Sequence, residues 1–251
     1  MSSMERWNNK VALITGASSG IGATCAIDLV NRGMIVVAVA RRKEKLEDLK
    51  NKVADDLKSR IIPIKCDVTV ESEVVNCFNW VLENIGVVSV LVNSAGIAYA
   101  VDLVGKYTTN QLKTMVDVGI IGTALCVRET FKQMKEHSID GHVILMNSTV
   151  GHNVPPFPLC SMNIYPSVKY ATTAMAETYR REFSNAGTNI KVTSLCPGEV
   201  NSGIWPPELR DLVDITMLHP EDISNAILYC LSTPPNVVIS ELFIKPLHGI
   251  I

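Results

Sequence analysis

The chain lacks the features that would tie it to a polyanion, a metal or a membrane. Lys and Arg total 23 against 25 Asp and Glu, a formal net charge of −2, and the isoelectric point is near 6.2. That balance removes the broad attraction behind non-specific nucleic-acid or anionic-lipid binding, and leaves a small molecule as the expected partner. The seven cysteines are odd in number, widely spread and include no C-x-x-C pair, which argues against a disulfide framework and for reduced thiols. The five histidines show no H-x-x-x-H or Cys/His ligand spacing, so no metal site is expected. The opening MSSMERWNNK has no apolar leader segment, and no apolar run approaches the ~18 residues of a membrane span. The expected location is therefore cytoplasmic. Asn147-Ser148-Thr149 fits the glycosylation acceptor pattern, but it ends an apolar run and reads as an accidental match.

What is present is a large apolar fraction, 47% of 251 residues, enough for one sizeable core. No repeat, low-complexity tract or linker divides residues 1–251, so one domain is expected. Apolar runs rich in β-branched residues fall at 11–15, 34–40, 61–65, 88–92, 142–147, 191–196 and 237–244. Between them lie helical patterns at 20–31, 42–57, 72–85, 110–135, 165–185 and 220–231. That alternation predicts an α/β chain with a doubly wound, mainly parallel, seven-stranded sheet carrying helices on both faces. Residues 154–165 and 200–218 have no clear period, and such loops tend to surround the ligand site at the carboxyl ends of the strands.

The first strand runs straight into Thr15-Gly16-Ala17-Ser18-Ser19-Gly20-Ile21-Gly22 and then a helix. Glycines let a backbone approach a pyrophosphate, and a helix N-terminus offers free N–H groups and a positive dipole end. Gly16, Ser18, Ser19, Gly20 and Ile21 are the expected dinucleotide contacts, with a plain tight turn as the alternative. After the second strand, where a carboxylate would bind a ribose 2′-hydroxyl, the chain reads Arg41-Arg42-Lys43. Cations in a first helical turn oppose the helix dipole, so the cluster suits a nearby anion such as the 2′-phosphate of NADP(H). A solvated helix start, with Glu44, Glu47 and Asp48 close behind, is the alternative.

Tyr165 and Lys169 open a later helical pattern one turn apart, which puts them on one face. An ammonium beside a phenol lowers the tyrosine pKa from ~10, so Tyr165 is expected to serve as an acid/base near neutral pH. Ser148, just past a strand, could share the charge on a substrate oxygen. In this order along the chain, these pieces resemble the short-chain dehydrogenase/reductase family from end to end. The matching stretches are T-G-A-S-S-G-I-G at 15–22, C-D-V-T at 66–69, N-S-A-G at 93–96, S-T-V-G at 148–151, Y-P-S-V-K at 165–169 and P-G-E-V-N-S at 197–202.

The resemblance implies a Rossmann fold, with Asp67 and Val68 beside the adenine and Asn93, Ala95 and Gly96 lining the cofactor cleft. It places Pro197, Gly198, Val200 and Ser202 at the nicotinamide end, and Lys169 on the ribose. For Asp67, Asn93 and Pro197-Gly198, a turn former, a sheet brace and a plain turn are the alternatives. A fourth catalytic residue, an asparagine whose main-chain carbonyl holds a proton-path water, is replaced by Gly119, which keeps a carbonyl but loosens the helix by about 1 kcal/mol. Seventeen positions separate Ser148 from Tyr165, and this long loop is expected to wall the substrate pocket.

Pocket candidates are Phe157, Leu159, Met162, Trp205, Met217 and Leu218, with ordinary packing as the alternative. More narrowly, the start, the segment G-M-I-V-V-A-V-A-R-R and the tail P-E-D-I-S-N-A-I-L-Y-C-L-S-T-P are similar to the insect farnesol dehydrogenase-like branch. That implies NADP(H)-dependent exchange between an apolar alcohol and its aldehyde or ketone, on an isoprenoid alcohol such as farnesol first, with steroid or general carbonyl reduction as the alternative. A weakly catalytic NADPH-binding protein is the second alternative, and the intact Ser148, Tyr165 and Lys169 argue against it. The family likeness further implies a homodimer or homotetramer.

Overall fold

In the computed structural model, β1 (Val11–Thr15), β2 (Ile35–Ala40) and β4 (Val88–Asn93) form the centre of one sheet. The structure describes residues 4–156, 161–204, 216–247 and 249. With β3 (Ile61–Lys65), β5 (His142–Met146), β6 (Lys191–Pro197) and β7 (Glu241–Ile244), the strand order is β3-β2-β1-β4-β5-β6-β7. Every pairing is parallel. Every residue of β1 and β4 is buried, as an apolar strand covered on both faces requires. Ala12, Ile14, Val36, Ala38, Val90 and Val92 point to one core with helices α1 (Gly20–Asn31) and α7 (Pro220–Ser232). Val11, Leu13, Val37, Val39 and Leu91 point to the other, beneath α3 (Glu71–Asn84), α5 (Gly122–Glu136) and α6 (Tyr165–Asn185). This period-two division is what the apolar runs encode.

Three elements differ from the sequence expectation. The pattern at 42–57 forms only a short helix, α2 (Lys43–Glu47), followed by 3-10 turns at Asp48–Lys52 and Asp55–Arg60. The pattern at 110–135 is broken into α4 (Thr109–Val116), a π turn at Asp117–Ile121, and α5. The last strand is shorter than its apolar run: ahead of β7, side chains take the Val237 carbonyl (Lys191 Nζ) and the Ile239 carbonyl (Thr193 Oγ1).

β1 has β2 on one side and β4 on the other, so the chain winds away in both directions from this point. The crevice at the carboxyl ends of these strands is where an open α/β sheet binds its ligand. The described cysteines are all free and buried, and no cluster able to hold a metal occurs among the described residues. Among them, no helix is long and apolar enough to cross a membrane. Asn147 is buried, its amide donating to Thr173 and Ser194, so the glycosylation pattern has no surface presentation.

Candidate active site

β1 and β4 end side by side, and their last residues lock together. Thr15 Oγ1 donates to Asn93 Oδ1 at 3.1 Å and accepts the N–H groups of Ser94 and Ala95, each at 3.0 Å. Past this junction the chain turns through Gly16, at φ +69°, into α1. A Cβ on Gly16 would stand 2.9 Å from the Ala95 nitrogen and the Ser94 oxygen, so the two loops approach only because there is none. Gly20, at φ +54°, likewise abuts the Ser202 carbonyl, 2.5 Å from where its Cβ would be. Ser19 heads α1 without capping it through its side chain. The first N–H groups of the helix thus remain available to an anion, which fits the turn to a pyrophosphate.

A cleft of about 290 Å³ opens over these strand ends. At one end it is lined by Arg41, Arg42, Asp67 and Val68, in the middle by the glycine turn with Ala95 and Gly96, and at the other end by Ser148, Tyr165, Lys169, Pro197, Gly198, Val200 and Ser202. The structure thereby gathers most of the residues singled out from sequence. Arg42 reaches across the turn, donating from Nη2 to Ser18 Oγ at 2.8 Å and Ser19 Oγ at 3.0 Å. Its guanidinium is preformed over the loop that precedes α1, the location a 2′-phosphate would need. Asp67 accepts the N–H and hydroxyl of Thr69 through one carboxylate oxygen, at 3.0 and 2.8 Å, so it also shapes its own turn.

At the far end β5 delivers Ser148 and α6 begins with Tyr165. Ser148 Oγ holds two long bonds, donating to the Pro197 carbonyl and accepting from Val150 N–H, both at 3.3 Å, and it hydrogen-bonds the Tyr165 phenol. Lys169 Nζ donates to the Met146 carbonyl at 2.7 Å and lies 5.5 Å from the centroid of the Tyr165 ring. Burial drives the phenol above its ordinary value, with the Ser148 bond pulling the other way. The same burial pulls the Lys169 ammonium down to about 8. The expectation of a tyrosine lowered by its lysine is not met in the protein alone: loss of solvation is the leading effect on the phenol and outweighs the Ser148 bond.

Several residues take other places than expected. Asn93 does not line the cleft; buried behind it, Asn93 braces the sheet between Thr15 and Thr123, whose Oγ1 accepts from Nδ2 at 2.8 Å. Gly119 is also outside the cleft, at the middle of the π turn, where its carbonyl accepts Thr123 Oγ1 at 2.8 Å. Met162 lines the cleft, whereas Met217 and Leu218 do not. Leu218 instead bridges Val200 and packs against the α1/α7 core, since its backbone pairs with Glu199 and Asn201. Phe157, Leu159 and Trp205 lie outside the described residues. Ile97, Val118, Val150 and Ile204 line the cleft without having been singled out. Ile97 directly follows a matched stretch and Val150 lies within one, so their position in the chain was the available signal.

The profile of the short chain dehydrogenase family matches residues 10–212. Farnesol dehydrogenase of Aedes aegypti is 46% identical over 97% of this chain and 98% of its own length. Dehydrogenase/reductase SDR family member 11 of Gallus gallus is 39% identical over 98% of this chain and 100% of its own. Among solved structures, the alcohol dehydrogenase from the archaeon Thermococcus sibiricus, complexed with 5-hydroxy-NADP, superposes with a TM-score of 0.83 at 25% identity, over 96% of this chain and 98% of that one. The closed form of serine dehydrogenase complexed with NADP+ gives 0.82 at 26% identity, over 93% and 94%.

Proposed function

The chain belongs to the short-chain dehydrogenase family, a family of oxidoreductases, and we propose that it uses NADP(H) to interconvert an apolar alcohol, in the first instance an isoprenoid alcohol such as farnesol, with its carbonyl form. One observation carries the reading: a single cleft has Arg41 and Arg42 at one end and Ser148, Tyr165 and Lys169 at the other, joined by the glycine turn. No carboxylate follows β2 to take a ribose 2′-hydroxyl, and Arg42 already lies over Ser18 and Ser19. Both features favour a phosphorylated ribose over a free one. The side of the cleft near Tyr165 is apolar, with Ile97, Val150, Met162 and Ile204. A terpenoid chain suits that lining, and a charged sugar does not.

When bound, the nicotinamide supplies or accepts the hydride. The protein handles the proton. In the direction of reduction, the Tyr165 hydroxyl gives its proton to the substrate oxygen while Ser148 Oγ donates a second hydrogen bond to it. Because the Ser148 bonds to Pro197 and Val150 are long, its hydroxyl can turn to substrate at little cost. The phenolate left behind is stabilised by the Lys169 ammonium, held near the ring by Met146. In the direction of oxidation, the same phenolate removes the alcohol proton. The family likeness further supports a homodimer or homotetramer, and the exposed Tyr170 on α6 is in keeping with such a contact.

Absorbance at the reduced-nicotinamide band, with purified protein, farnesol and either NADP or NAD, tests this reading. Cofactor reduction with NADP, much less with NAD, and none in Tyr165→Phe is the expected result. Turnover of steroids or other carbonyls but not farnesol would move the substrate to that class. Turnover unchanged in Tyr165→Phe would refute the chemistry.

A further inference from the structure

We propose that Gly119 and Val168 are a matched pair in which the missing side chain of one makes room for a methyl of the other, and that this fit positions Tyr165 and Lys169 on α6. The proposal deepens the functional reading and rests on it for its kinetic consequences only. Gly119 occupies the centre of the π turn between α4 and α5, and it is not among the glycines with positive φ. Backbone conformation therefore gives no reason for glycine there. Space does. A Cβ built on Gly119 would overlap Val168 Cγ1, and the next nearest atom, Val168 Cβ, would be 3.8 Å away, an ordinary contact. One methyl group accounts for the whole conflict.

That methyl cannot swing aside freely. Val168 is 4% exposed and packs with Met115, Val150, Met162 and Tyr165, and a β-branched side chain in a helix has one strongly preferred rotamer. The π turn is tethered as well. The Gly119 carbonyl accepts Thr123 Oγ1, Thr123 accepts Asn93 Nδ2, and Asn93 is bonded to Thr15 at the end of β1. A side chain at position 119 would thus push on α6 at Val168, the residue just before Lys169. Tyr165 and Lys169, with Gly119, Val168 and Thr172, enclose a void of only about 10 Å³ beside the cleft. That space has room for about one water and lies beside Val168 rather than behind it, so a push on Val168 is passed along α6 and moves Lys169 off its bond to Met146.

The experiment compares Gly119→Ala, Val168→Ala and the double variant, by thermal melting of the cofactor-free protein and by steady-state kinetics with the best alcohol found. Alanine is a better helix former than glycine, so with no clash Gly119→Ala would raise the melting temperature. The expected result is a change of sign: Gly119→Ala lowers the melting temperature in the parent and raises it in the Val168→Ala background. In the kinetics, Gly119→Ala lowers kcat by about tenfold or more while KM for the alcohol changes far less, as misplacement of reacting groups does, and the double variant recovers most of that loss. Melting effects that add without a change of sign would overturn the fit. A kcat untouched by Gly119→Ala, or a loss not recovered in the double variant, would overturn its positioning role. If the parent protein turns over no alcohol, the functional reading fails while the melting comparison still decides the pair.

Discussion

Lys169 hangs from the strand that leads to Ser148: its Nζ donates to the carbonyl of Met146, the last residue of β5, at 2.7 Å, two positions before Ser148. The ammonium is held against the sheet and inside the protein, and the place that makes it useful to Tyr165 also strips it of water. Its pKa falls from 10.5 to about 8 for that reason.

The depressed value sets a pH dependence of stability. Between about 8 and 10.5 the unfolded chain holds a proton that the folded chain has released, so stability rises with pH across that window. Below 8 the cost of the buried charge is fully present. Lys169→Met removes this dependence along with the activity. The stability of the variant relative to the parent should fall by about 2 kcal/mol from about pH 7 to about pH 9.5, since releasing one proton is worth about 1.4 kcal/mol for each pH unit crossed. Lys191 is also depressed, by burial, but it is common to both proteins and cancels in the difference. Denaturant melts at the two pH values decide it, and a constant difference would mean that Lys169 is not titrating as a buried group.

Arg42 lies over Ser18 and Ser19 before any phosphate arrives. Its removal should cost NADP a charge-assisted bond worth about 1.5–3 kcal/mol, hence about 10- to 100-fold in affinity. NAD, which lacks the 2′-phosphate, should lose far less. Titration of both reduced cofactors by fluorescence against Arg42→Ala measures the two losses. Equal losses would reassign the guanidinium to support of the glycine turn.

Two glycines in the same cleft separate folding from binding. Gly16 has a left-handed backbone, and a Cβ there meets main-chain atoms of Ser94 and Ala95 at 2.9 Å, whereas a Cβ on Gly96 meets nothing within 4 Å. Gly16→Ala should therefore lower stability by about 2 kcal/mol or more, roughly 5 °C of melting temperature in a chain of this size. Gly96→Ala should leave melting nearly unchanged and weaken cofactor binding alone, because Gly96 lines the cleft. Similar melting temperatures for the two variants would count against the close approach of the loops.

The parts of this molecule readable from sequence are those governed by short-range rules. Buried parallel strands announce themselves as apolar runs, the glycine turn by residue type, and Tyr165 with Lys169 by a spacing that puts them on one helical face. The π turn at Asp117–Ile121 was hidden because one extra residue per turn leaves the apolar rhythm of 110–135 almost intact. The brace made by Asn93 was hidden for a different reason. Its partners Thr15 and Thr123 are far from it in sequence and meet it only through the sheet order. The reversed shift of Tyr165 depends on burial, which spacing alone does not report.

Beside the apolar end of the cleft, the proposed substrate side, a pair of crossed hydrogen bonds joins two loops. Asp102 Oδ1 accepts the Ser161 N–H at 2.7 Å, and Ser161 Oγ accepts the Leu103 N–H at 3.2 Å. Asp102 belongs to the segment after β4 and Ser161 to the one that leads through Met162, a cleft residue, into α6. Neither residue lines the cleft itself. Both are exposed, so each bond is worth about 1 kcal/mol or less. Asp102→Ala releases the first and loosens the second, and the loop bearing Met162 gains freedom that an apolar substrate must remove on binding. KM for the alcohol should rise by up to about fivefold, the factor that corresponds to about 1 kcal/mol, with kcat and KM for the cofactor unchanged. Proton transfer should be little affected, because Tyr165 keeps its bond to Ser148 and its packing with Met115, Val150 and Val168. A fall in kcat at constant KM would instead place this latch on the reaction itself, with the loop seating Tyr165 rather than the substrate.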